Sequence, residues 1–139
     1  MSYAKPEQLV ETGWLEEHLE DDRVRILDCN VILTPLEEGG FQLTSGREAW
    51  RAGHIPGALH LDWLKLMDPD NGLSLVKNID ELLHSNGITK EKDIIAHCQT
   101  HHRSGLAYMA ARLLGYKRIR AYHGSWSEWG NRSDTPVEL

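Results

Sequence analysis

The sequence predicts an α/β fold in which a parallel sheet is covered by helices. Short apolar runs alternate with stretches of helical periodicity along the whole chain, which is the pattern of parallel strands joined by crossover helices. Two of the helical stretches end at a glycine, Gly87 and Gly115, where a helix C-terminus is expected. A chain of 139 residues can bury one core of ordinary size but not two. We therefore expect a single domain over residues 1–139.

The strands are predicted from five short apolar runs, which lie at residues 9–11, 24–28, 58–61, 93–96 and 118–122. The second run alternates before it becomes continuous, so its carboxyl end should present Asp28 and Cys29. A glycine-bracketed turn, GHIPGA, leads into the third run. A second turn, at residues 68–72, follows that run.

The helices are predicted from apolar residues at helical spacing. Thr12 can cap a first helix that has Trp14, Leu15 and Leu19 on one face. The other helices are expected at residues 47–52, 79–86, 104–114 and 124–129. The connection at 30–46 mixes proline and glycine with polar residues and is predicted to be a loop. Because connections of that length in compact domains are usually functional, we expect it to have a role in function.

Composition and charge describe a soluble globular protein, since 40% of the residues are hydrophobic, 26% are charged and the net charge is -6. An acidic chain is not expected to bind nucleic acid or an anionic membrane, because both partners require a basic surface. The sequence has neither a secretory leader nor an apolar run that could span a membrane, and we expect a cytoplasmic protein. In that reducing compartment Cys29 and Cys98 should not form a structural disulfide, and no cofactor is predicted.

The stretch AHCQTHHRSG carries the clearest chemical signal. Cys98 follows a predicted strand and precedes a helix that should begin near Ser104. Ligands of α/β sheets bind at the carboxyl ends of strands, and the first N–H groups of a helix attract anions. Arg103 supplies a fixed positive charge, to which His101 and His102 can add. These surroundings favour a thiolate, so Cys98 is predicted to be a nucleophile.

Four interpretations fit this loop. Cys98 can carry a sulfur atom as a persulfide, act as the nucleophile of a phosphatase or arsenate reductase, bind zinc with the histidines, or be a small core residue. Cysteine-dependent phosphatases have five residues between cysteine and arginine, whereas four separate Cys98 from Arg103, and the shorter loop favours one transferred sulfur over a phosphate. Zinc is disfavoured because no second ligand pair follows, and no metal site is predicted. Burial as a core residue is disfavoured by the polar neighbours.

Three motifs in order resemble the rhodanese family of thiosulfate sulfurtransferases: GHIPGA, CQTHHR followed by Ser104, and GSWSEWGNRSDTPVE. The resemblance covers nearly the whole chain and is to the catalytic second domain of a two-domain bacterial rhodanese. It implies about five parallel strands with helices on both faces, a persulfide on Cys98, thiosulfate or another persulfide as the donor, and cyanide or a thiol as the acceptor. A persulfide carrier or sensor that acts on a protein partner is the alternative, because it would use the same residues. The usual companion domain is not part of this sequence, so we expect an open site.

The same resemblance implies an active-site loop that consists of Gln99, Thr100, His101, His102, Arg103 and Ser104. We expect its backbone N–H groups to stabilise the thiolate and then the outer sulfur of the persulfide. Arg103 is expected to pair with a carboxylate such as Asp28 and so brace the loop, with contact to the substrate as the alternative. Ser104 is expected to cap the following helix and to hydrogen-bond the thiolate.

Three residues outside the loop have predicted roles, and a fourth departs from the family pattern. The connection that ends at Arg47 resembles the first domain of mercaptopyruvate-type sulfurtransferases, so Arg47 is expected at the mouth of the site as a substrate contact. The active-site loop of those enzymes is rich in glycine and serine, unlike this one, which favours thiosulfate as the donor. Asn30 stands where many family members have an arginine. We expect Cys29 to be a core residue, with a resolving role as the alternative, and His54 to stabilise its turn.

Overall fold

The computed structural model describes residues 3–139. Within them the strands are β1 (Leu9–Val10), β2 (Val24–Asp28), β3 (Val31–Pro35), β4 (Phe41–Ser45), β5 (Leu59–His60), β6 (Met67–Asp68), β7 (Ser74–Leu75), β8 (Asp93–His97) and β9 (Ile119–Tyr122). The α-helices are α1 (Thr12–Glu17), α2 (Arg47–Ala52), α3 (Ile79–Ser85), α4 (Ser104–Leu113) and α5 (Ser125–Trp129). Short 3₁₀ turns lie at Pro6–Gln8, Trp63–Leu66 and Pro69–Asn71.

Five strands form one parallel sheet in the order β1-β9-β8-β2-β5, which confirms the predicted architecture. The two long strands β2 and β8 lie side by side, with Leu27 opposite Ala96 and Asp28 opposite His97. Both strands are almost entirely buried, as expected of a parallel sheet covered on both faces. Their carboxyl ends therefore meet at the same edge of the sheet.

Helices cover both faces of the sheet because successive residues of a strand point to opposite sides. Ile94 and Ala96 of β8 pack in a cluster with residues of α3 and α4. Ile95 packs in a second cluster with Leu15 of α1 and Trp129 of α5. No helix in the described part of the chain is long and apolar enough to cross a membrane.

The predicted loop at residues 30–46 is instead a β-hairpin, so this prediction was wrong. β3 and β4 pair antiparallel with Val31 opposite Ser45 and Pro35 opposite Phe41. Gly39 and Gly40 both have positive φ values, 91° and 84°, which allow the chain to reverse. At the base, Gly46 lies so close to the carbonyl of Asn30 that a Cβ would overlap it. The strand pattern is hidden in the sequence because proline and glycine are typical of loops, and here they lie where the two strands of the hairpin meet their turn.

Candidate active site

Cys98 lies immediately after the central strand β8, at the start of the loop that leads into α4. Its side chain is buried, with 1% of the residue exposed. Two backbone bonds hold the start of the loop, because Trp126 N donates to the Cys98 carbonyl at 2.9 Å and Ser127 N donates to the Gln99 carbonyl at 3.0 Å. The first turn of α5 therefore positions the nucleophile predicted from the sequence.

The backbone N–H groups from Gln99 to Ser104 are the main electrostatic feature of the loop. Within residues 3–139 none of these six groups donates a hydrogen bond. His101 has a positive φ of 66°, which turns the backbone between the strand and the helix. Consecutive N–H groups without a protein acceptor at a helix start form a binding site for an anion. The loop is thus suited to bind a negatively charged sulfur atom or a small oxyanion.

A pocket of about 490 Å³ opens beside Cys98. The loop lines it with Gln99, Thr100, His102 and Arg103. Asn30, which precedes the hairpin, and two residues of β3, Val31 and Leu33, also line it. Four of the six loop residues predicted for the site therefore surround one cavity with the thiol. Of the three residues on the hairpin side, Asn30 was noted in the sequence only as a departure from the family pattern, and Val31 and Leu33 were not predicted. The sequence signal that marks Asn30 is its place two residues after Asp28, at the end of the strand next to β8.

His101 and Ser104 contact each other and are not among the pocket-lining residues. The Ser104 hydroxyl lies 2.5 Å from His101 Nδ1, and Ser104 is fully buried. Burial lowers the pKa of His101, and the neighbouring His123, His97 and His102 lower it further. These surroundings therefore disfavour the positive charge that His101 could have added to the loop. Ser104 is the first residue of α4 rather than its cap, so its predicted capping role was wrong.

Arg103 does not pair with Asp28, which corrects the predicted brace. Within the described residues Arg103 has no carboxylate partner, its Nε is buried without a hydrogen bond, and its guanidinium carbon lies 5.9 Å from the ring centre of Trp63. The reason is geometric. α4 packs on the face of the sheet that carries Leu27 and Ala96, whereas the side chain of Asp28 points to the other face.

Asp28 instead belongs to a buried group beneath the loop. Its Oδ1 accepts a 2.9 Å bond from the backbone N–H of Asn30, and its Oδ2 lies 4.0 Å from Nε2 of His97. Burial lowers the pKa of His97, although the carboxylate of Asp28 opposes this shift. His97 Nδ1 lies 3.2 Å from the Cys98 carbonyl. Asp28 therefore supports the turn at the end of β2 and does not brace the loop.

Arg47 lies in a different pocket from the one predicted. It lines a cavity of about 290 Å³ together with Ser45, His60, Asp62 and Lys65. His60 ends β5, the edge strand, which is separated from β8 by β2. The hairpin ends at Ser45, and α2 begins at Arg47. Arg47 therefore lies near the end of the edge strand β5 and not at the end of β8.

Ser125 is a site residue that the sequence did not indicate. The backbone N–H of Cys98 donates to its Oγ at 3.4 Å, and its hydroxyl donates to the Tyr122 carbonyl at 3.0 Å. Ser125 has a positive φ of 55°, which is uncommon for a residue with a side chain. Its position in the motif GSWSEWG is the only sequence feature that marks it.

His54 and Cys29, the remaining predicted residues, contact other parts of the fold and do not line the pocket beside Cys98. His54 Nδ1 lies 2.8 Å from the Trp50 carbonyl, and its ring stacks on that of Trp50. Cys29 is fully buried, and burial raises the pKa of its thiol well above the ordinary value. Within residues 3–139 no three His, Cys, Asp or Glu side chains come together as a group that could hold a metal ion.

Comparison with known proteins places this site in context. Residues 11–132 match the family model of the rhodanese-like domain. The chain is 54% identical over 91 residues to the thiosulfate sulfurtransferase of Pseudomonas aeruginosa, covering 66% of this chain and 34% of that protein. It is 41% identical over 90 residues to the sulfur carrier protein TtuD of Thermus thermophilus, covering 64% and 32%. The chain thus spans about a third of the length of these relatives.

A solved structure agrees with the fold. SseA from Escherichia coli, a 3-mercaptopyruvate sulfotransferase, superposes with a TM-score of 0.79 at 22% sequence identity. The superposition covers 94% of this chain and 50% of that one.

Proposed function

The chain belongs to the rhodanese-like domain family, and on this premise we propose that it is a sulfurtransferase in which Cys98 carries the transferred sulfur. Thiosulfate or another persulfide is the proposed donor, and cyanide or a thiol the acceptor. The similarity to a thiosulfate sulfurtransferase supports this choice of donor. Both cysteines are free thiols, as expected of a protein that acts in a reducing compartment such as the cytoplasm.

The proposed reaction has two steps. The Cys98 thiolate attacks the sulfane sulfur of thiosulfate, the S–S bond of the donor breaks, and sulfite leaves with the bonding electron pair. Cys98 is then a persulfide. In the second step cyanide or a thiolate attacks the outer sulfur, and thiocyanate or a new persulfide leaves as the Cys98 thiolate returns.

The observation that carries the proposal is the set of six backbone N–H groups, from Gln99 to Ser104, that directly follow Cys98 and donate to no acceptor within residues 3–139. The proposed reaction develops negative charge on the attacking Cys98 sulfur and then on the outer sulfur of the persulfide. Donors that are already oriented stabilise such charge without reorganisation. His102 and Arg103 line the same pocket, and the fixed charge of Arg103 favours an anionic donor. The four residues between Cys98 and Arg103 favour a single sulfur over a phosphate.

A persulfide carrier that passes its sulfur to a protein is the second candidate function. The 41% identity to the sulfur carrier protein of Thermus thermophilus favours it. Both functions share the loading step, so they differ only in the acceptor. Rates of unloading by cyanide, by a small thiol and by a protein thiol would separate them.

The loading step is tested by the intact mass of the protein before and after thiosulfate, and again after cyanide. We expect a gain of one sulfur atom that cyanide removes. Cys98→Ser should abolish the gain, whereas Cys29→Ser, the matched control at the other cysteine, should keep it. Hydrolysis of an aryl phosphate without any gain of sulfur would contradict the proposal and favour a phosphatase.

A further inference from the structure

The two cysteines of the chain oppose each other at the ends of neighbouring strands. The ladder between β2 and β8 pairs Asp28 with His97. The backbone N–H of Cys29 then donates to the His97 carbonyl at 2.9 Å, which is the bond that a parallel ladder makes when its next pair is Cys29 and Cys98. The pairing therefore continues one residue beyond the strands.

Both thiols also lie on the same face of the sheet. Leu27 and Ala96, two residues before each cysteine, belong to the same core cluster as Cys29 and Cys98. Opposed residues on neighbouring strands have Cα atoms about 5 Å apart, which lies within the range of about 4.4–6.8 Å that a disulfide spans. A bond between the two sulfurs thus requires side-chain rotation and no change of the strand pairing.

The proposed transfer reaction gives Cys29 no role, yet its chemistry is coupled to that of Cys98. Burial raises the pKa of the Cys29 thiol most, and the charges of Asp28 and Cys98 raise it further. Cys29 is therefore almost entirely protonated while the site turns over. A thiol with a small thiolate fraction reacts slowly, so it does not compete with an acceptor that enters the pocket.

We propose that Cys29 is a resolving cysteine that discharges the Cys98 persulfide when no acceptor arrives. Cys29 loses its proton and attacks the inner sulfur, the Sγ of Cys98. A Cys29–Cys98 disulfide forms, the bond to the outer sulfur breaks, and hydrosulfide leaves with the electron pair and takes up the proton. The inference rests on the proposed function, which supplies the persulfide. It needs no external oxidant, because the outer sulfur of the persulfide is reduced as the Cys29 thiol is oxidised.

Attack at the inner sulfur follows from the position of the two groups. The outer sulfur is expected among the N–H groups of the loop, on the pocket side of Cys98. Cys29 is 0% exposed within the apolar core and is not among the pocket-lining residues. The inner sulfur is therefore the one that faces it. The disulfide would block the nucleophile until a thiol reductant restores it, so the pair would act as a slow shut-off with release of hydrosulfide.

The test follows the loaded protein under anaerobic conditions. The protein is loaded with thiosulfate, desalted and kept without acceptor, while intact mass is measured and hydrosulfide is trapped with monobromobimane. We expect the species with one extra sulfur to convert into one that lacks two hydrogens relative to the unloaded protein, with one hydrosulfide released per chain. A non-reduced digest should contain the Cys29 and Cys98 peptides joined.

Cys29→Ser is the decisive variant, and Cys29→Ala is a second one in case a buried hydroxyl weakens the fold. Both should gain the sulfur normally and then lose it at least about tenfold more slowly than the wild type. Equal decay in wild type and variants, or a persulfide found on Cys29, would overturn the resolving role while leaving the proposed function intact. Failure to gain sulfur at all would overturn the proposed function and this inference with it.

Discussion

Neighbouring residues at the end of β8 face opposite sides of the sheet. This alternation places Cys98 on one face and His97 on the other. The thiol of Cys98 shares a cluster with α4, while the imidazole of His97 points towards Tyr122 on the other side. Arg103 approaches from the α4 side and Asp28 from the side of His97. Each face of the sheet therefore has its own charged residue near the loop, Arg103 on one side and Asp28 on the other.

The buried imidazole of His97 should make stability depend on pH. Its pKa is lowered in the folded state, so the unfolded chain takes up a proton first, near the ordinary value of 6.5. The contribution of His97 to stability is therefore complete above about pH 6.5 and is lost as the pH falls below it, by at most about 1.4 kcal/mol per pH unit for one proton. The pKa values of His60 and His101 are also lowered, mainly by burial, and act in the same direction.

Urea unfolding at about pH 7.5 and about pH 5.5 measures this dependence. We expect the wild type to lose stability at the lower pH and His97→Gln to lose less. His84→Gln removes a half-exposed histidine and is the matched control, which should keep the wild-type difference. The same loss in His97→Gln as in the wild type would show that other groups cause the pH dependence.

At the scale of elements, the first turn of α5 fixes the place of the nucleophile from behind. Its backbone binds the carbonyls of Cys98 and Gln99, and Ser125 Oγ accepts from the Cys98 N–H. This arrangement leaves the N–H groups after Cys98 free for substrate. The five-residue helix α5 therefore positions the active-site loop in addition to packing Trp129 in the core.

Ser125→Ala should slow sulfur transfer and weaken the fold. The substitution leaves the buried Cys98 N–H without its acceptor, which costs about 1–3 kcal/mol of unfolding free energy. Because the backbone at Cys98 loses one of its anchors, we expect kcat with thiosulfate and cyanide to fall about tenfold. Ser127→Ala is the control on the same helix, since within residues 3–139 its hydroxyl bonds only to the Gly124 carbonyl. Equal kcat values in the two variants would refute the anchoring role.

The hairpin forms one wall of the pocket, and Leu33 is the residue that tests this. Leu33 is 41% exposed, so Leu33→Ala should cost less than about 1 kcal/mol of stability. We expect kcat/KM for thiosulfate to fall about threefold to tenfold, because water reaches the anion site and screens it. Phe41→Ala is the control, since Phe41 is 58% exposed on the same hairpin and is not among the pocket-lining residues. A similar loss in both variants would assign the effect to hairpin stability.

Sequence reasoning predicted the elements of the sheet well and the contacts between them poorly. The strand at 24–28 and the helix α3, which ends at Ser85, follow from local patterns of apolar residues. The pairing of Arg103 with Asp28 could not be judged in this way. It depends on which face of the sheet α4 covers, and that is decided by packing between segments 75 residues apart in the chain. Ser125 was missed for the same reason, because its role exists only once α5 is packed beneath the loop.

At the scale of the whole molecule, one sheet is shared by two cores. Ile94 packs with the α3 and α4 layer, and Ile95 packs with the α1 and α5 layer. Neither layer has a sheet of its own, so neither can remain folded when the other is lost. The active-site loop joins the two layers, since it leads from β8 into α4 and is bound by α5.

This shared sheet should make the domain unfold in one cooperative step, even when only one layer is weakened. Ile94→Ala and Ile95→Ala each remove a fully buried side chain and should each cost about 2–5 kcal/mol. We expect urea transitions followed by far-ultraviolet circular dichroism and by tryptophan fluorescence to coincide in both variants. Trp14 and Trp129 report on one layer and Trp63 on the other. A fluorescence transition that precedes the loss of secondary structure in Ile95→Ala alone would show instead that the α1 and α5 layer can detach while the catalytic strand stays folded.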